Sequence, residues 1–179
     1  LKVPVTETVL TAIQIERKGI SNLVDVSRMT VGLKIGTGSV ETGSLVSIRG
    51  FGTNATDPGV DQSVSLNLDG LQLTQGMSYS VGTFDMQQVE VLKGPSALLF
   101  GRGGSGGLVN QTTKTPTLQT HKEVSVTLGS NRQKRAVGDL NLRTGDDSAV
   151  RLIALKESSG NYRYPQGMEK TGLAPSFWT

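Results

Sequence analysis

The glycine run GRGGSGG is the part of this sequence that comes nearest to a known ligand-binding pattern. Gly101, Gly103 and Gly106 have the G-x-G-x-x-G spacing, and residues 89–92 before them predict a short strand. A dinucleotide site needs a helix to begin at these glycines, because the helix N-terminus holds the pyrophosphate. Residues 108–113 favour a strand instead. We therefore predict a tight strand–turn–strand passage with close backbone packing, and keep a nucleotide site and a flexible linker as alternatives.

Residues for catalysis or metal binding are few. The sequence has one histidine, His121, beside Lys122 at the start of a predicted strand, and it has no cysteine. A hydrolytic triad around His121 would need a Ser and an Asp placed beside it, which the sequence does not indicate. Asp57, Asp61 and Asp69 lack the spacing of a calcium loop. We therefore expect no catalytic residue, no metal site and no cofactor, and we expect His121 to lie on the surface.

The composition favours a protein of strands and turns. The 23 glycines and the aromatic content of 4% suit short strands better than a helical bundle. The net charge is +3 and the basic residues are scattered except at 132–135, so we expect no nucleic-acid partner. No run reaches the roughly 18 apolar residues of a transmembrane helix. The sequence does not begin with a signal peptide, so we expect any export signal to lie outside it.

The first two thirds of the sequence predict two helices among short strands. A strand is expected over residues 2–10. A helix should begin after Thr11, with Gln14 at the capping-box position and Gly19 as the left-handed residue that ends it. A second helix is expected over residues 22–29.

Three further strands are predicted before residue 74, and polar loops join them. Asp69-Gly70 should form a turn or a bulge, because this pair favours tight turns. Loops of this composition often carry recognition on a rigid scaffold. The predicted strands cover residues 31–35, 44–51 and 63–73. The polar loops cover residues 36–43, 52–62 and 74–82.

The sequence after residue 116 predicts longer alternating strands. The strand at 134–143 places Ala136, Gly138, Leu140 and Leu142 on one face. The other face has Val137 among polar and charged residues. Strands of about ten residues with this alternation are typical of a transmembrane β-barrel. A soluble antiparallel sandwich has the same alternation, so periodicity leaves both open. The other predicted strands cover 123–128, 149–157 and residues from 172 onward, with a turn at 144–148 and loops at 129–133 and 158–171.

Four separated motifs resemble the plug domain of TonB-dependent outer-membrane transporters. They are VPVTETVLTAIQIERKGISNLVDV (3–26), SLVSIRGFG (44–52), SLNLDGLQL (65–73) and QVEVLKGPSALLFGRGGSGGLVNQTTKTP (88–116), in the order of that family. The resemblance implies an α+β plug, a small mixed sheet with short helices, over residues 1–116. It also implies that residues 117–179 are the first antiparallel strands of an incomplete 22-stranded transmembrane β-barrel.

The resemblance also implies roles for two basic residues. The arginine of the family's IRGF motif corresponds to Arg49, and the basic residue before Gly-Pro corresponds to Lys93. In the family these positions face glutamates of the barrel wall and help to lock the plug. Lys93 replaces the more common arginine, which keeps the charge but loses the planar bidentate fork.

The function that the resemblance implies is active transport of a scarce nutrient across the bacterial outer membrane. The first choice of cargo is an iron–siderophore complex, and a carbohydrate is the alternative within the family. The implied partners are TonB, through a coupling segment that would precede Leu1, and outer-membrane lipid or lipopolysaccharide. A soluble β-rich binding module is the alternative from another class. Candidate cargo contacts on the three polar loops are Asn54, Gln62, Gln75 and Tyr79.

Overall fold

The computed structural model of the chain describes residues 6–36, 46–53, 63–73, 85–95, 104–160 and 167–179. The chain divides into two units, Leu1–Thr113 and Lys114–Thr179. In the part of the chain that is described, no helix is long and apolar enough to cross a membrane.

The first unit is a mixed α+β structure, as the sequence predicts. Its elements in chain order are β1 Thr6–Thr11, α1 Ala12–Arg17, α2 Leu23–Met29, β2 Leu33–Ile35, β3 Val46–Ile48, β4 Phe51–Thr53, β5 Val64–Leu68, β6 Leu71–Leu73, β7 Met86–Lys93 and β8 Gly107–Thr113. One sheet has the strand order β1-β7-β8-β5-β6, and the other has the order β2-β3-β4. All neighbours are antiparallel except β5 and β8, which are parallel.

The ends of both helices are determined by local side chains. The backbone N–H of Thr11 donates to Oε1 of Gln14 at 3.1 Å, which is the interaction predicted for the start of α1. Gly19, with φ +62°, follows the end of this helix as predicted. At the start of α2, Oδ1 of Asn22 accepts a hydrogen bond from the backbone N–H of Asp25 at 3.0 Å.

Two tight hairpins replace longer predicted strands. The single strand predicted over 44–51 is wrong, because the chain reverses at Arg49 and Gly50, which have φ values of +52° and +85°. Asp69 and Gly70 make the same kind of turn with φ values of +50° and +81°. Two successive positive φ angles produce a turn whose twist matches that of the flanking strands.

The core of the first unit is formed by the two helices, the smaller sheet and one face of the larger sheet. Val89 and Val91 from β7 and Val109 from β8 are fully buried there, with Leu23 and Val26 from α2. Each buried side chain of this size stabilises the fold by about 1.5–3 kcal/mol. The core therefore depends on the central strands β7 and β8.

Gly107 is the point of closest backbone approach in this core. Its φ is +146°, and a Cβ atom there would lie 2.3 Å from the carbonyl oxygen of Leu92 and 2.7 Å from Cδ1 of Ile48. The neighbouring Gly106 donates its N–H to the carbonyl oxygen of Ser63 at 2.7 Å. A strand and not a helix begins at Gly107, so close backbone packing is confirmed for this end of the glycine run.

The second unit is an antiparallel sheet with the strand order β12-β11-β10-β9. The turn at 144–148 joins β10 to β11, and β10 has the bounds that the sequence predicts. The loop predicted over 158–171 is too long, because Ser158 pairs with Glu169 and the ladder continues to Gly160 and Gly167. Polar residues at these strand ends gave no sign of the pairing. The strands are β9 His121–Leu128, β10 Lys134–Arg143, β11 Ala149–Gly160 and β12 Gly167–Trp178.

We predict that Gly107→Ala lowers the free energy of unfolding by about 2–4 kcal/mol, because the new methyl group meets the Leu92 carbonyl and the positive φ becomes strained. Denaturant unfolding of the purified protein measures this change. Gly138→Ala is the control, since no heavy atom lies within 4 Å of its Cβ position, and we expect a change of about 0.5 kcal/mol or less. Equal effects of the two substitutions would contradict the prediction.

Candidate functional site

Arg49 lies in the turn between β3 and β4, where its backbone and its side chain make separate contacts. Its backbone N–H donates to the carbonyl oxygen of Gly32 at 2.8 Å. The guanidinium Nη2 donates to Oγ1 of Thr6 on β1 at 3.0 Å. The turn therefore directs the guanidinium from the smaller sheet to the edge strand of the larger sheet.

Lys93 is a buried cation at the end of β7. It alternates with Val89 and Val91, so it lies on the core face of the sheet, and only 7% of its surface is exposed. It makes no ion pair with any of the described carboxylates. A buried charge without a partner is costly, so this position calls for an anion from another part of the protein.

Thr6 brings the two cations to one place. It is paired with Lys93 across β1 and β7, and it accepts the hydrogen bond from Arg49. Directly paired residues on antiparallel strands project from the same face of a sheet. Arg49 and Lys93 are therefore neighbours around Thr6, although 44 positions separate them in the sequence, and Arg49 also lacks an ion pair with the described residues. We call Thr6, Arg49 and Lys93 the cation cluster.

The predicted cargo contacts Asn54, Gln62, Gln75 and Tyr79 lie outside the described residues. The neighbouring strands still locate the points where two of the loops join the sheet. The chain enters β5 at Val64, which pairs with Gly107, and Gly107 in turn pairs with Lys93. It leaves β6 at Leu73, beside Leu66 of β5. The segments that contain Gln62 and Gln75 thus join the larger sheet at the end that holds the cation cluster.

The opposite face of the larger sheet carries a polar network that the sequence analysis missed. The Glu90 carboxylate accepts hydrogen bonds from the amide of Asn110 at 2.8 Å and from the amide of Gln88 at 2.9 Å. Asn67, next to Asn110 on the neighbouring strand, is also buried. The sequence does contain a signal for this network. Gln88 and Glu90 alternate strictly with Val89 and Val91 of β7, and this alternation indicates that the second face of the strand is polar.

The sheet of the second unit has one exposed apolar face. Val124 pairs with Gly138, Gly138 with Ala154, and Ala154 with Leu173, so this row crosses all four strands. A continuous exposed apolar surface is typical of contact with another protein or with a membrane. Its exposed large residues are Val124, Val126, Leu128, Leu142, Val150, Leu152, Leu173 and Phe177.

The other face of the same sheet carries paired charges. Arg135 binds Glu157 with an N–O distance of 2.7 Å, and only 2% of Glu157 is exposed. Arg151 binds Asp139 through two hydrogen bonds, and both residues are buried. Sequence alternation predicted this polar face but not the pairs, because each pair joins two strands. His121 lies at the start of β9 with an exposed side chain, as expected, 3.1 Å from Glu123.

Neither unit offers an arrangement for metal binding within the described ranges. No group of three or more His, Cys, Asp or Glu residues there is close enough to hold a metal ion. The first unit instead offers a positive cluster and a part-buried polar network, and the second unit offers an exposed apolar face.

Comparison with known proteins gives one family and several similar receptors. Residues 1–108 match the family model of the TonB-dependent Receptor Plug Domain. The probable TonB-dependent receptor BfrD of Bordetella pertussis is 32% identical over 97% of the chain and 22% of that protein. The catecholate siderophore receptor Fiu of Escherichia coli K12 is 31% identical over 96% of the chain and 22% of its own length.

Solved structures of siderophore receptors have the same fold. The open form of Fiu from Escherichia coli K12 gives a TM-score of 0.79 at 28% identity, over 98% of this chain and 24% of that one. The siderophore receptor PiuA of Acinetobacter baumannii gives a TM-score of 0.82 at 25% identity, over 98% and 24%. The chain thus spans less than a quarter of the length of these relatives.

We predict that Arg49→Asn and Arg49→Val destabilise the protein by different amounts, because both remove the side-chain hydrogen bond but only Val is strained in the turn. Asn tolerates positive φ, so its substitution should cost only the exposed hydrogen bond to Thr6, about 0.5–1.5 kcal/mol. The Val substitution should lower the free energy of unfolding by about 1–3 kcal/mol more, because a β-branched residue is strained at φ +52°. Denaturant unfolding tests this order, and equal losses would show that the turn conformation contributes nothing.

Proposed function

The chain belongs to the TonB-dependent receptors of the bacterial outer membrane, and we propose that it forms the plug and first barrel strands of a receptor that takes up ferric siderophores. Because it spans 22% of the length of Fiu, the activity, cargo and partners of the whole receptor are part of the proposal. In this proposal the plug covers residues 1–116 and the barrel strands cover 117–179. Membership of a family of transport receptors argues against the alternative of a soluble binding module.

The names of the similar receptors support a siderophore as cargo. Fiu is a receptor for catecholate siderophores, and PiuA is also a siderophore receptor. Asn54, Gln62, Gln75 and Tyr79 are the proposed contacts for this cargo, since they occur on the polar loops of the plug. A carbohydrate remains the second candidate, and the uptake experiment below distinguishes the two.

The position of β1 supports a simple coupling mechanism with TonB. This strand is the edge of the larger sheet and is also its most N-terminal strand. TonB would pair with an extended segment on the N-terminal side, as in other cases of strand addition. A pull on that segment reaches β1 first, and therefore reaches Thr6, which contacts Arg49 and pairs with Lys93.

The cation cluster is the proposed lock between the plug and the barrel wall. Its support is the combination of a buried lysine and a neighbouring arginine, neither with a carboxylate partner among the described residues. Glutamates of the wall, which the family resemblance implies, would supply the missing negative charge. Movement of Thr6 under load would then disturb the lock, so cargo release and coupling would be linked through one strand.

The apolar face of the second unit is proposed to contact outer-membrane lipid. Its support is the row of exposed apolar residues across four strands whose other face carries buried ion pairs. Alternation of apolar and polar faces at this strand length is the pattern of a membrane barrel. Lipopolysaccharide is the proposed partner at the extracellular end of the same face.

We predict that Val124→Arg destabilises the full-length receptor in lipid vesicles by about 2–4 kcal/mol, because the charge would lie in the apolar band of the bilayer. Val124 is 78% exposed and lies on the apolar face, at the β9 end of the row. Ser125→Arg is the matched control, since Ser125 is the next residue and lies on the opposite face. Similar effects of the two arginines on unfolding in vesicles would argue against lipid contact.

We predict that deletion of the complete gene abolishes uptake of at least one radiolabelled ferric siderophore, and that the gene supplied in trans restores it only in cells that contain TonB. The assay uses a panel of catecholate and hydroxamate siderophores, with labelled oligosaccharides as the comparison. Unchanged uptake across the siderophore panel would refute the proposed cargo. Loss of oligosaccharide uptake alone would establish the second candidate.

A further inference from the structure

The connector, residues 114–120, joins β8 of the plug to β9 and contains no helix or strand. The backbone N–H and C=O groups of such a segment need partners from outside it. Side chains on β10 and β11 supply several of these partners, and they contact the connector at alternate positions.

Asn141 on β10 makes the densest set of these contacts. Its Oδ1 accepts a hydrogen bond from the backbone N–H of Thr117 at 3.0 Å. Its Nδ2 donates to the carbonyl oxygen of Thr117 at 2.7 Å and to that of Gln119 at 2.6 Å. Only 3% of Asn141 is exposed. One amide thus satisfies both the donor and the acceptor of Thr117, and a carboxylate of the same size could not replace it because it has no donor.

Asp139 and Arg151 contact the first residues of the connector. Arg151 pairs with Asn141 across β10 and β11, and its guanidinium binds Asp139 through Nε and Nη2. The third nitrogen, Nη1, donates to the carbonyl oxygen of Thr115 at 3.4 Å. The ammonium of Lys114 lies 3.8 Å from Asp139. The buried ion pair is therefore oriented by strand pairing and directs one donor to the connector backbone.

We propose that Asn141, Asp139 and Arg151 are positioning residues that clamp the connector to the barrel strands, so that the plug keeps one fixed end while TonB pulls on the other. This inference rests on the proposed function. Its physical consequence is a limit on movement, because seven residues released from the clamp could extend to roughly 23–25 Å. The clamp prevents this extension directly after β8, which is the middle strand of the larger sheet.

Proteolysis of the purified full-length receptor tests the clamp without any cargo. Lys114 is the first residue of the connector, Lys122 lies just beyond its end, and both are trypsin sites. We expect Asn141→Ala to raise the rate of cleavage at Lys114 at least tenfold over the wild type. Asn141→Leu, which keeps the side-chain volume but no hydrogen bond, should do the same and covers the case in which the alanine variant does not fold. Glu157→Ala is the control, because Glu157 is buried on the same face and its hydrogen bond is to Arg135. Wild-type cleavage rates in both Asn141 variants would overturn the proposal.

Cells that express the same variants test the consequence for transport. We expect Asn141→Ala to bind ferric siderophore with wild-type affinity but to admit a large antibiotic several-fold faster, and only in cells that contain TonB. A variant with both Thr117→Cys and Asn141→Cys should admit the antibiotic at the wild-type rate when its disulfide is formed. It should show the faster rate when the disulfide is reduced. A leak that does not depend on TonB, or a leak equal to that of Glu157→Ala, would overturn the clamp as a transport device. Faster cleavage at Lys114 in a receptor whose wild type takes up no siderophore would support the clamp and refute the proposed cargo.

Discussion

The close passage of backbone at Gly107 is the constraint on which the first unit depends. Gly107 pairs with Lys93 on one side and with Val64 on the other, and it leaves no room for a side chain next to Leu92 and Ile48. The contact therefore joins the centre of the larger sheet to the smaller sheet. Gly107 also pairs with the buried Lys93, which is the last residue of β7. The described end of the glycine run, Gly106 and Gly107, thus acts as a packing element, because a strand rather than a helix begins at Gly107.

The two units differ in whether their buried charged side chains have partners of opposite charge. In the sheet of the second unit, Arg135 and Arg151 each bind a carboxylate on a neighbouring strand, so the charges are neutralised within the sheet. In the first unit, Lys93 is buried and Arg49 lies nearby, and neither has a carboxylate partner among the described residues. Because an unpaired buried cation is costly, the cation cluster favours a negatively charged partner.

The chain connects these two kinds of structure through a segment that is itself held by hydrogen bonds. Asn141 satisfies the backbone of the connector with a side-chain amide, so the segment needs no regular secondary structure to be ordered. The first unit has β1 as an edge strand at its N-terminal side and continues into the connector after β8.

The sequence by itself determined the features that depend on neighbouring residues. The cap at Gln14, the stop at Gly19 and the bounds of β10 were predicted, because capping and alternation are local, and four motifs identified the family. Tertiary structure alone decided how distant segments meet. The reversal at Arg49 was missed because arginine is not a turn residue, and only the pairing of Val46 with Thr53 reveals it. The cation cluster, the Glu90 network and the connector clamp likewise depend on strand register. Register places residues that are 20 or more positions apart side by side, and it is fixed by the packing of whole sheets rather than by any local signal.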